Sequence, residues 1–136
     1  MDQEPTHKNR AWLEDGILYT EHNGVVTIDV VLKLSGDCLE LLNRNKLILA
    51  PLVMIFSETA DTSQMNITHL HKIVNTELLP HLSVVVIVGM EHANKTLINL
   101  ASKVFLGGKI QSRDTIEEAR ALAQTYKSET LPMLEQ

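Results

Sequence analysis

Cysteine is nearly absent from this chain of 136 residues, and the single Cys38 excludes an internal disulfide and fits a reducing compartment. Cys38 falls in an apolar helical pattern with no electropositive, accessible setting, so it is expected to pack as a small core residue rather than act as a nucleophile. An excess of basic charge is also missing. The formal net charge is −5, with Lys and Arg scattered rather than massed, which leaves no electrostatic footprint for nucleic acid. No apolar run approaches the roughly 18 residues of a membrane span. The opening "MDQEPTHKNRAW" has no apolar region of the signal-peptide kind, so the expectation is a soluble, cytoplasmic protein. Neither a Gly-x-Gly-x-x-Gly run nor a Walker sequence nor a Gly-x-Ser-x-Gly elbow occurs. His69 and His71 stand two apart on a predicted helix, where they point about 200° apart, and His7, His22, His81 and His92 show no metal-ligand spacing. Neither a metal nor another cofactor is expected, nor a catalytic residue.

What the chain does have is a content of 44% hydrophobic residues, enough for one domain to bury a core without staples. After a polar leader at residues 1–9, "RAWLEDGILYTEH" places two short apolar runs around Asp15-Gly16, which predicts an antiparallel hairpin over 10–21 with Trp12 anchoring it on the core. Ile28, Val31, Leu32, Leu39 and Leu42 recur at helical spacing behind Thr27 as N-cap, with a weak point at Ser35-Gly36 where a kink is expected. "LVMIF" behind Pro51 and "LSVVVIVG" read as buried parallel strands near 52–56 and 84–88. Between them Ile67, Leu70, Ile73, Val74 and Leu78 trace a helix over 65–79 that Pro80 ends. Ala93, Leu97, Leu100, Ala101 and Val104 mark a third helix stopping at Gly107-Gly108, and a brief strand follows at 109–111. Asp114, three residues before Glu117, predicts the start of a last helix that turns Ile116, Ala119, Leu122, Ala123 and Tyr126 inward. The segment 128–136 reads as a loose tail, leaving 10–127 as the domain. The order β-β-α-β-α-β-α-β-α implies an α/β fold with a single mixed sheet, parallel except at the opening hairpin.

The element order, with "WLEDGIL" near the start, "PLVMIF" before a hydroxyl-rich hinge, and "DTIEEARALA" near the end, resembles the STAS and SpoIIAA-like superfamily over residues 11–126. The "EDGI" hairpin and the "EEA" helix are similar to SpoIIAA-like bacterial proteins, many without assigned activity, for which the resemblance implies fold rather than reaction. Anti-sigma factor antagonists of this superfamily carry a phosphorylated serine at the start of the helix after the central strand, within Asp-Ser-Ser or Asp-Ser-Thr followed by Gly. This chain has Asp61-Thr62-Ser63 followed by Gln64. The resemblance thus implies a non-enzymatic regulatory module with a protein partner, controlled by phosphorylation at Thr62 or Ser63.

Two readings of that hinge compete. A helix N-terminus favours an added phosphate, but a plain cap by Asp61, Thr62 or Ser63 is the commoner use of such residues at a helix start and the favoured reading of the two. The loop "GMEHANKT" leaves the second buried strand as Ser57 and Glu58 leave the first, so Ser57, Glu91, His92 and Lys95, with Glu58 and Asn94, are the candidates for a shared rim at the strands' carboxyl ends, against the favoured plainer reading of a polar loop whose residues cap a helix. That rim is the place for the alternative function, a small hydrophobic ligand or an enzyme's substrate. A homodimer is a further expectation, although no sequence feature marks its interface.

Overall fold

Asp15 and Gly16 both take positive φ, 55° and 79°, the pair of left-handed values that a two-residue type I′ turn needs. They join strand β1 (Arg10–Glu14) to β2 (Ile17–His22) as an antiparallel hairpin with Glu14 opposite Ile17. The computed structural model of the protein describes residues 9–61, 63, 68, 72, 77–89, 110–126 and 129–130.

Helix α1 (Ile28–Arg44) begins where Thr27, in extended backbone, accepts the Val30 N–H on its hydroxyl at 3.3 Å. Asp29 in its first turn and Arg44 in its last suit the helix dipole. The helix runs without interruption through Ser35-Gly36, and it buries Val31, Leu34, Cys38 and Leu42.

Lys46, at φ 58°, turns the chain into β3 (Leu47–Phe56), a strand that starts five residues before the predicted 52. Pro51 sits inside it, fully buried. The pairing explains how the strand tolerates a residue with no N–H. Against β4 (Leu82–Val88), Ala50 aligns with Leu82 and Leu52 with Val85, so Ser83 and Val84 together oppose Pro51 in a bulge. β5 (Ile110–Arg113) then pairs with β4, and α2 (Ile116–Gln124) follows.

Strand order in the sheet repeats strand order in the chain, β1-β2-β3-β4-β5, with β2 through β5 parallel. β6 (Glu129–Thr130), within the segment read as tail, pairs antiparallel with Leu47 and Leu49 of β3. The fold is α/β with one mixed sheet. Thr68 and Lys72, inside the helix expected over 65–79, have helical backbone and exposed side chains, and Leu78 is buried. The helix expected over 93–104 and its Gly107-Gly108 stop lie outside the described residues.

Alternation along the strands gives each sheet face its own core. On one face Leu18, Leu52, Val85 and Ile87 meet Val31, Cys38 and Leu42 of α1. On the other, Ile17, Tyr19, Val53, Val84 and Val86 meet Ala119 and Ala123 of α2, whose small side chains are completely buried. This corrects the predicted inward face of the last helix, since Ile116 and Tyr126 are each 37% exposed. Its start is also one residue later than expected. Thr115, not Asp114, accepts the N–H three residues on, from Glu118 at 3.1 Å.

Candidate functional site

The carboxyl ends of the parallel strands are knitted together by backbone, as the exits from β2 and β3 run alongside one another. Ser57 N–H donates to the His22 carbonyl at 3.1 Å, Asp61 N–H to the Gly24 carbonyl at 2.8 Å, and Val26 N–H to the Asp61 carbonyl at 2.8 Å. Val25 and Asp61 thereby form a parallel bridge beyond the strands proper. Side chains tighten the same strap: the Thr59 hydroxyl accepts the Gly24 N–H at 3.0 Å and lies 2.9 Å from the Ser57 hydroxyl. Gly89, at φ 87°, closes the exit from β4 so tightly that a Cβ there would overlap the Phe56 carbonyl oxygen.

Below this strap lies His22, 1% exposed. Its Nε2 is 3.0 Å from the buried Thr20 hydroxyl, its ring stacks on Phe56 at 4.8 Å, and its Nδ1 has no partner among the described residues. Burial pushes its pKa down to about 4, so the ring is neutral at neutral pH. Spacing along the chain marks His22 only as a histidine without metal-ligand neighbours. The usable signal was its alternation with Leu18 and Thr20 on β2, which sets it on a core face.

At the hinge's outer end, Ser63 N–H donates to Asp61 Oδ1 at 2.9 Å. Hydrogen bonds from the Ser63 side chain, and then from its backbone, hold the Asp61 carboxyl below its ordinary range. Asp61 therefore takes the capping-type role, an Asx turn with its carboxylate as acceptor, and Ser63 is the donor. Both side chains are exposed. Ser57 is half-buried within the strap and Glu58 is exposed. Thr62, Glu91, His92 and Lys95 lie outside the described residues, as does Asn94. The structure thus ties Ser57, and Ser63 through Asp61, to the β2 exit, residues 22–26.

Elsewhere, Cys38 is wholly buried and its thiol is pushed up to about 12 by desolvation, with neighbouring Asp37 adding to the rise. Among the described residues no three of His, Cys, Asp and Glu gather as a metal ion would require, and no helix is long and apolar enough to cross a membrane. No protein-family model matches the chain, and no curated protein matches it.

Proposed function

We propose that this chain is a non-enzymatic regulatory or protein-interaction module whose contact edge is the hinge from Ser57 to Ser63, switched by phosphorylation of Ser63 or of its neighbour Thr62. The observation that carries the reading is the Asp61–Ser63 turn: an exposed hydroxyl leaning on an exposed carboxylate, at the end of a segment tied by backbone to the β2 exit. A phosphate on Ser63 removes the O–H donor and sets about two negative charges beside Asp61. The turn then opens, and the strand exits it borders present a different surface. The resemblance to STAS and SpoIIAA-like antagonists supports the same residue, and the described elements that it shares with the expected order are the opening hairpin, α1, the parallel strands β3 to β5 and α2. The tight closure of the β2, β3 and β4 exits around Phe56 and Gly89 favours a protein surface over a ligand pocket at this edge.

Mass spectrometry of the protein from its native cells, with capture of partners by the parent chain, Ser63→Ala and Ser63→Asp, tests the proposal. Phosphate on Thr62 or Ser63 is expected, and the two variants are expected to retain different partners. Identical capture by both, with no phosphate on residues 57–63, reduces the hinge to turn chemistry.

A further inference from the structure

Strand β1 forms one edge of the sheet, and no described strand pairs with its outer side. Edge strands in natural proteins discourage further pairing by short length, charged side chains, proline or a bulge. The sequence Arg-Ala-Trp-Leu-Glu has no proline, its two charges stand at its ends with opposite signs, and its register with β2 is unbroken from Arg10 opposite Glu21 to Glu14 opposite Ile17. A two-residue turn makes Glu14 and Ile17 a hydrogen-bonded pair, and bonded pairs alternate along an antiparallel ladder. Trp12 and Arg10 therefore spend their backbone groups on β2, while the amides and carbonyls of Ala11 and Leu13 point to the open edge.

We infer that this edge pairs with a second copy of itself, antiparallel, about a twofold axis at Trp12. In that register Ala11 of each copy faces Leu13 of the other, so that every outward N–H meets an outward carbonyl. The charges agree with it, since Arg10 of one copy stands opposite Glu14 of the other, twice over. Arg10 already bonds Glu21 at 2.8 Å and covers Trp12 at 4.4 Å, and its guanidinium has donors left for a second carboxylate. Trp12, half-buried and stacked on Tyr19 at 5.2 Å, meets its own copy at the axis and continues an aromatic row on that face. The opposite edge lacks this complementarity. Self-pairing of β5, Ile-Gln-Ser-Arg, sets Ile110 against Arg113 and Gln111 against Ser112. A five-residue strand pair is small beside the roughly 1,200 Å² of a stable interface, so the dimer forms in a concentration-dependent equilibrium.

Sedimentation velocity of the full chain across a concentration series up to the millimolar range tests the inference. The parent is expected to pass from monomer to dimer. R10E and E14R each set like charges against like at both ends, and each is expected to weaken association by about tenfold or more. The double variant R10E/E14R restores opposite charges in the reverse sense and is expected to recover the parent's association. A parent that stays monomeric throughout overturns the inference. So does E14R that keeps the parent's circular dichroism and dimerises as the parent does, or a folded double variant that fails to recover.

Discussion

His22 makes the clearest single-residue claim. Its imidazole titrates near 6.5 when the chain is unfolded but only near 4 when folded, because burial penalises the charged ring. Between those values the unfolded chain binds more protons, so stability rises with pH there. It is complete above about 6.5 and falls as the solution is acidified toward 4, by roughly 3 kcal/mol in total. Urea unfolding at a series of pH values measures this directly, and His22→Phe should flatten that part of the curve. Two glycines give opposite expectations. Gly36 lies in the interior of α1 with open space where a Cβ would go, so Gly36→Ala should stabilise by about 0.5–1 kcal/mol. Gly89→Ala combines positive φ with a clash on Phe56 and should destabilise by at least about 1–2 kcal/mol. Thermal melts of the two variants should move in opposite directions.

Among the elements, α2 offers the sharpest contrast between pattern and packing. Thr115→Ala should lower stability by about 1 kcal/mol, while Asp114→Ala should change it little, since only Thr115 bonds a free helix N–H. Denaturant midpoints of the two variants decide between the caps. Asp114 and Thr115 are both capping residues, each three before a glutamate, and local sequence could not choose between them. Tertiary packing chose, by pressing Ala119 and Ala123 against the sheet. The hairpin was legible because Asp-Gly states its turn outright. The beginning of β3 was not, because a proline inside a strand is admissible only opposite a bulge, and the bulge belongs to β4. The candidate site divided the same way. Ser57 and Ser63 stood out as hydroxyls between a strand and a helix, but the bond from Ser57 to His22 joins residues 35 apart along the chain through parallel pairing, which leaves no local trace.

For the molecule as a whole, Cys38 reports on global integrity. Its thiol lies under α1 in the first core, fully buried and protonated, so a thiol reagent can reach it only when that core opens. Labelling of the native protein should be slow and should accelerate with denaturant in step with unfolding. Rapid labelling in buffer alone would show α1 detaching by itself.

The match between strand order in the sheet and strand order in the chain bears on how the protein is made. A ribosome delivers the amino terminus first, and here each strand from β2 to β5 docks on the one delivered just before it. Assembly from β2 to β5 can proceed as a growing seam, while the start of β3 at Leu47 and Leu49 waits for β6. Until β4 arrives, however, the apolar edge of β3 is the seam's raw margin, the interval in which a nascent chain most needs shelter from its copies. Pulsed hydrogen exchange during refolding should find amides of β2 and β3 protected no later than those of β5, and the reverse order would mean that assembly does not follow the chain.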